Sequence, residues 1–366
     1  MISIPYINLT EQWKFEREEL LPIIDSVLSS GQYIGGQEVS KFEESVAKFC
    51  GVKYAVALNS GTDALIFGLW ELGVRPGDEV ITPPNSFIAS TAAIVQLKAK
   101  PVFVDVGEDQ NLDPSKLEKA ITSKTKAIMP VHLTGRIAAM NEIMSIANQH
   151  SIPVIEDAAQ AIGSRYDGKP SGSIGSIGCF STHPLKNLNA CGDGGFLTTN
   201  DEKVYTSVSR TRNHGLVDRN TVGEFGSVSR MDALQAAILN YRLARMPEVT
   251  EKRRKNAKSY TSLLNKKNVF IPEDKPFEFN TYHTFVIQVD KRDELRNHLL
   301  SLGIETSIHY PIPIHLQPAS KGLGYKKGDF PVTEKQADRI LTLPVHQYLK
   351  EADLTKIAET INQFYQ

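Results

Sequence analysis

Residues 52–73 read VKYAVALNSGTDALIFGLWELG. A short apolar, β-branched run breaks at Asn59-Ser60-Gly61, and from Thr62 onward Leu65, Leu69 and Leu72 recur at the spacing of one helix face. The same alternation extends outward along the chain. DEVITPP (78–84), KPVFVDV (100–106), TKAIMPVHL (125–133), IPVIEDAA (152–159), GCFSTH (178–183) and GFLTTN (195–200) complete seven candidate strands, and MNEIMSIANQH (140–150) is a further helical segment. Parallel strands require long crossover connections, so this alternation predicts an α/β fold: a mostly parallel seven-stranded sheet flanked by helices.

The 366 residues allow about two domains at roughly 150 residues each. From Ser229 the pattern becomes one long helical stretch, SRMDALQAAILNYRLARMPEVTEKRRKNAKSYTSLL (229–264), expected to bend near Pro247. A boundary inside it divides the chain into a large unit, 1–245, and a smaller α+β unit, 246–366. The basic run Lys252, Arg253, Arg254, Lys255 and Lys258 reads as a solvated helix face, and HYPIPIHLQP (309–318) as an ordered loop.

Charge excludes whole classes of partner. There are 41 Lys+Arg against 42 Asp+Glu, a net charge of −1, so general affinity for nucleic acid or anionic membrane is not expected. No apolar run reaches the roughly 18 residues of a membrane span, and MISIPYINLTEQWKFEREELL lacks a basic region followed by an apolar stretch, so a cytoplasmic protein is expected. Cys50, Cys179 and Cys191 are scattered, without a C-x-x-C pair, so neither a disulfide framework nor a metal site is encoded. GSIGSIG (172–178) has the wrong spacing for a dinucleotide fingerprint and reads as turn chemistry, while GDGG (192–195) lacks the Lys-Ser/Thr of a P-loop.

Three other stretches carry chemistry. At Asn59-Ser60-Gly61-Thr62 a strand ends and a helix begins, which suits either a bound phosphate or an ordinary N-cap. IPVIEDAAQ ends in Glu156-Asp157, where Asp157 suits a metal ligand, a ribose contact, a partner for a cationic heterocycle or a helix cap. STHPLKNLNACGDGG (181–195) delivers Ser181, His183 and Lys186 into a turn, and a buried lysine there becomes a nucleophilic amine of the kind that forms Schiff bases, whereas an isolated one would be a surface loop lysine. The conjunction decides: pyridoxal phosphate uses a helix N-terminus for its phosphate, a carboxylate for its ring nitrogen and a lysine for its aldehyde. Phe87, in PPNSFIAS, supplies a stacking face.

With these motifs the chain resembles the DegT/DnrJ/StrS sugar-nucleotide aminotransferases, which are fold type I, aspartate-aminotransferase-like pyridoxal-phosphate enzymes. The resemblance covers nearly the whole chain, through GQYIGGQEVSKFEESVAKFCG, NSGTDAL, GDEVITPPNSFIAS, PVHLTGR, PVIEDAAQAIGS, FSTHPLKNLNACGDGG, RTRNHG, SRMDALQAAIL, HYPIPIHLQP and LTLPVH in family order. It implies that Lys186 is the Schiff-base lysine, Asp157 the pyridinium partner, Gln160 the contact to the ring hydroxyl and Phe87 the stacking residue. Gly61, Thr62 and Ser181, beside Ser60, resemble phosphate anchors. Arg230, with His309 and Tyr310, resembles the group that reaches across a homodimer interface toward the sugar nucleotide. Val228 departs from the family, which usually has Asn there as a cross-subunit phosphate contact; Asn213 is a candidate replacement.

The implied reaction moves an amino group from L-glutamate to a keto sugar nucleotide, with pyridoxamine 5'-phosphate as the intermediate cofactor form. A 3-keto substrate is preferred over a 4-keto one, and the product serves amino-sugar synthesis for surface polysaccharide, lipopolysaccharide or glycoconjugate. Retention of Lys186 favours transamination over the alternative of sugar dehydration or epimerisation. The other alternative is a non-catalytic regulatory homologue.

Overall fold

The computed structural model describes residues 2–366. Strands form at all seven expected places: β1 Tyr54–Leu58, β2 Glu79–Thr82, β3 Lys100–Phe103, β4 Thr125–Ile128, β5 Ile155–Asp157, β6 Ile177–Ser181 and β7 Gly195–Thr199. One ladder runs β3-β2-β4 and a second β5-β6-β7-β1. Parallel bridges at Ile128–Val154 and Val131–Asp157 join them into one array, β3-β2-β4-β5-β6-β7-β1. Only β7 runs antiparallel to its neighbours. The other six strands therefore end on the same side, where ligands gather in such sheets.

Helices cover both faces because strands buried on both sides leave no polar face for water. Gly61–Glu71 (α3 in the chain order used here, after α1 Leu9–Ser30 and α2 Gln37–Cys50), Ile88–Gln96 (α4), Met140–Gln149 (α5) and Glu202–Thr211 (α6) connect or flank the strands. On one face α2 and α7 (Ala233–Ala244) bury Phe42, Val46 and Leu239 against Phe180 and Phe196. On the other, Leu65 and Leu69 of α3 pack on Val56, Ile155 and Leu197.

The long helix expected over 229–264 is two helices. Residues 229–232 are not helical, α7 ends at Ala244, and α8 spans Met246–Leu263 with Pro247 in its first turn. A proline lacks the N–H that would continue the previous helix but is well suited to start a new one, so the chain turns at Arg245. The basic run is also corrected in part. Buried positions on α8 fall at Met246, Thr250, Arg253, Ala257 and Tyr260, an inward-facing helical spacing that places Arg253 inside while Lys252, Lys255 and Lys258 stay exposed. Arg253 Nη1 donates to the carbonyls of Tyr282 and His283, and burial lowers its pKa to about 10.

Beyond α8, β8 Val269–Phe270, β9 Phe285–Val289 and β10 Ile340–Leu343 form an antiparallel sheet in the order β8-β9-β10. Against it pack α8, α9 (Arg292–Ser301) and α11 (Glu351–Phe364), with α10 (Pro331–Arg339) leading into β10. Their core includes Tyr260, Phe285, Leu295, Leu341 and Ile357, and Ile4 from the start of the chain joins it. Among the described residues, no helix is long and apolar enough to cross a membrane.

Candidate active site

A cavity of about 380 Å³ opens at the carboxyl ends of β1, β2, β5 and β6. It collects Ser60, Gly61, Thr62, Phe87, Asp157, Gln160, Ser181, Lys186, His309 and Tyr310; of the site residues expected from sequence, Arg230 and Asn213 lie outside it. Clefts of about 590 and 1250 Å³ lie elsewhere, but every lysine that lines them is exposed to water; chemistry rather than volume selects the site.

Lys186 sits in the tight turn after β6, where its N–H donates to the His183 carbonyl at 2.8 Å. Removal from bulk water disfavours the ammonium and lowers the side-chain pKa to about 8, although Asp157 pulls the other way. A useful fraction of neutral amine is therefore present near neutral pH. Asp157 ends β5. Burial pushes its carboxyl above the ordinary range, opposed by a 2.6 Å hydrogen bond from Ser90 Oγ, the Ala159 N–H and the positive charge of Lys186. A cation placed against this carboxylate would relieve the cost of its burial.

The adjacent Glu156 points to the opposite side of the strand and serves a different purpose. Its carboxylate accepts the N–H groups of Gly172, Ile174 and Gly175 at 2.7–2.8 Å. It also accepts from His132 Nε2 at 2.9 Å; that tautomer follows because His132 Nδ1 accepts the Ala138 N–H. The GSIGSIG turn thus wraps a buried anion and fixes the end of β5.

At the other end of the cavity Ser60 Oγ accepts the Asp63 N–H at 3.1 Å, so this side chain is the N-cap of α3. The N–H groups of Gly61 and Thr62 have no partner among the described residues and head an 11-residue helix. Glycine is required around them. A Cβ on Gly61 would lie 2.7 Å from Ser181 Cβ, and one on Gly195 would lie 2.3 Å from Ser60 C and 2.4 Å from Gly61 N. Free amides, the Thr62 and Ser181 hydroxyls and the helix dipole form a cradle suited to a phosphate.

Phe87 presents a half-exposed ring beside Tyr310, centroids 5.7 Å apart. Gln160 Oε1 accepts the Thr134 N–H at 2.8 Å, which directs Nε2 toward Tyr310 Oη at 3.4 Å and into the cavity. His309 Nδ1 lies 2.9 Å from Thr342 Oγ1, and burial, reinforced by Lys186, lowers its pKa to about 4, leaving a neutral imidazole.

His309 and Tyr310 were expected to reach across with Arg230, yet they line their own chain's cavity. The reason is pairing of their segment with the C-terminal sheet: Ser307 and Thr342 exchange backbone hydrogen bonds at 3.0 and 2.7 Å. Arg230 stands apart and donates to Asn213 Oδ1 at 3.0 Å; Asn213 also bridges to Val228 along the backbone. Tyr6, Ser90 and His283 line the cavity and were not anticipated. Ser90 follows Phe87 by one helical turn, a usable signal, whereas nothing in the neighbourhood of Tyr6 or His283 marks it as chemical.

A helix terminus suited to an anion, a buried acid suited to a cation and a lysine of lowered pKa thus share one cavity at the strand ends of an α/β sheet. The chain belongs to the DegT/DnrJ/EryC1/StrS aminotransferase family, whose model matches residues 14–362. Over the full chain it is 40% identical to the pleiotropic regulatory protein of Geobacillus stearothermophilus, covering 99% of that protein. It is 39% identical to the UDP-2-acetamido-2-deoxy-3-oxo-D-glucuronate aminotransferase of Pseudomonas aeruginosa, over 98% of this chain and 99% of the other. The structure of Streptomyces venezuelae DesV in complex with a ketimine intermediate matches with a TM-score of 0.97 and 37% identity, covering 100% and 99% of the two chains. The PLP-form of a putative sugar aminotransferase from Streptococcus pneumoniae matches with a TM-score of 0.90 and 27% identity, over 94% and 95%.

Proposed function

We propose that this chain is a fold type I, pyridoxal-phosphate-dependent aminotransferase that moves an amino group from L-glutamate to a 3-keto sugar nucleotide. The observation that carries the reading is Lys186, its pKa lowered by burial, facing Asp157 across a cavity that ends in two free helix N-terminal amides. The 3-oxo substrate in the name of the P. aeruginosa relative supports the C3 preference. The product then belongs to amino-sugar supply for surface glycans.

When bound, pyridoxal phosphate supplies an aldehyde for amine attachment and a cationic ring that takes up the electron pair released at the substrate carbon. The residues of the chain account for the rest. Gly61 and Thr62 N–H, with the Thr62 and Ser181 hydroxyls, hold the phosphate. Asp157 keeps the proton on the ring nitrogen, Gln160 Nε2 donates to the ring oxygen, and Phe87 covers one ring face. Lys186 Nζ is the attachment point, and once released it is the base that moves a proton at the reacting carbon, for which a pKa near 8 is suited.

A homodimer is part of this reading. Tyr33, Ile34, Phe225 and Val228 expose large apolar side chains, and Arg230 projects outside its own chain's cavity, as expected for a group that serves a partner. With Val228 replacing the family asparagine and Asn213 bound to Arg230, that segment's contribution is electrostatic through Arg230.

Borohydride reduction of the purified enzyme followed by peptide mass mapping tests the assignment: the cofactor mass is expected on Lys186, and the visible band is expected to bleach with L-glutamate in wild type and not in Lys186→Ala. Tagging of a different lysine overturns the site. A cofactor-loaded protein that never bleaches with amino donors and yields no amino sugar supports a second, regulatory reading, which the 40% identity to a pleiotropic regulatory protein favours.

A further inference from the structure

The turn that carries Lys186 is gripped from outside the cavity by a buried polar cluster. Gln12 and Glu16 lie one turn apart on α1, just after its Asn8 cap, and both face inward. Gln12 forms a reciprocal amide pair with Asn189: Gln12 Nε2 donates to Asn189 Oδ1 at 3.0 Å, and Asn189 Nδ2 donates to Gln12 Oε1 at 3.1 Å. The same Asn189 Nδ2 donates to the Pro184 carbonyl at 2.9 Å, closing the loop 184–189 around Lys186. On α7, Arg242 Nη1 donates to the Asn189 carbonyl at 2.6 Å, while its Nε and Nη2 donate to Glu16 Oε2 at 3.0 and 2.7 Å. Glu16 Oε1 also accepts from Gln12 Nε2 at 3.1 Å, so the ring of partners is closed.

Cohesion does not explain this cluster. A buried ion pair is on average no more stabilising than well-packed apolar side chains of the same volume, because both charges lose hydration. What apolar side chains could not do is fix two backbone carbonyls, those of Pro184 and Asn189, that bracket Lys186. A lysine that alternates between attachment and free base needs its backbone to stay still while its side chain changes partner, and misplacement of about 1 Å costs on the order of a hundredfold in rate. The segment that leads into α1 also places Tyr6 in the cavity wall, so one stretch of chain completes the cavity and steadies its lysine.

We propose that Gln12, Glu16 and Arg242 are positioning residues for Lys186, acting through Asn189. This rests on the assignment of Lys186 as the reactive amine.

The test compares wild type with Gln12→Leu, and with the milder Gln12→Asn in case the first does not fold. Tyr260→Phe, which removes a buried hydrogen bond to Pro344 in the C-terminal core, controls for lost stability. The first readout needs no cofactor: the pH dependence of Nζ labelling at Lys186, followed by mass spectrometry on the cofactor-free chain. Its midpoint near 8 should rise by about one pH unit in the Gln12 variants as the loosened turn admits water, and stay in place in Tyr260→Phe. The second is the half-reaction with L-glutamate, where kcat should fall about tenfold to a hundredfold with KM changed less than about threefold. A folded Gln12 variant with unchanged midpoint and unchanged kcat overturns the proposal. Borohydride tagging separates the causes: cofactor found on Lys186 together with that result removes the clamp alone, whereas cofactor found on another lysine removes both readings.

Discussion

A lysine prepared for chemistry should weaken the fold that holds it, and here the size of that penalty follows from the structure. Burial lowers the Lys186 pKa from 10.5 to about 8, a penalty on the charged form of about 3 kcal/mol, or about 2–3 kcal/mol once partial solvent access through the cavity is allowed for. The sign follows from proton uptake. Between pH 8 and 10.5 the unfolded chain binds a proton at this lysine that the folded chain does not, so this contribution to stability rises with pH across that window; below pH 8 both states are protonated and the folded state bears the full penalty. Lys186→Met removes it. In the cofactor-free protein at pH 7 the variant should therefore be more stable than wild type by up to about 2–3 kcal/mol. With an unfolding entropy of about 2.1 cal/mol/K per residue over 366 residues, that is a rise in Tm of about 3–4 °C. As pH rises toward 10.5 the gain should shrink to a small fraction of its value at pH 7. Scanning fluorimetry at pH 7 and at about pH 10 measures both arms. A variant less stable than wild type at pH 7, or one whose gain is equal at both pH values, would refute the idea that burial of charge sets the reactivity of this amine.

Other outcomes follow from the same site. Glu156→Gln keeps the shape but must turn its N–H₂ either toward the N–H groups of Ile174 and Gly175, which share one carboxylate oxygen, or toward those of Gly172 and His132, which share the other, and should cost about 3 kcal/mol or more in urea unfolding of the cofactor-free chain; an unchanged midpoint would show that the cradle does not need a charge. Gly195→Ala drives a Cβ to 2.3–2.5 Å from Ser60 C, Ser60 O and Gly61 N. It should displace the turn before α3 and weaken pyridoxal-phosphate binding by about tenfold or more, measured by absorbance titration. Phe87→Ala, at a half-exposed ring, should leave unfolding within about 0.5 kcal/mol of wild type and weaken cofactor binding about fivefold, the value of one lost ring stack; fluorescence titration distinguishes the two effects.

Much of this architecture was legible locally. The strand and helix periods of 52–73, repeated along the chain, mark seven strands because side-chain alternation and apolar runs are properties of neighbouring residues. Gly61 in its strand-to-helix turn, and Lys186 in STHPLKNLNACGDGG, likewise announce a tight turn and an unusual amine from their immediate neighbours in the chain. Arg253 shows where local reading stops: a run of five cations resembles a solvated face until the packing of α8 turns one of them inward. The single helix expected over 229–264, bent near Pro247, is instead two, because proline lacks the N–H that would continue the first and is suited to start the second.

The groups available at the strand ends are written along the chain: a phosphate-type turn, an acid, a lysine and a stacking ring, in an order set by an α/β sheet. Folding settles which of them meet. It put His309 and Tyr310 in their own chain's cavity, set Arg230 apart from it, brought Tyr6 and His283 to the cavity that Lys186 lines, and joined Gln12 to Asn189 across 177 residues of chain. Periodicity and turn chemistry act over one or two turns of chain, whereas hydrogen bonds and charge burial act between surfaces that only folding brings together.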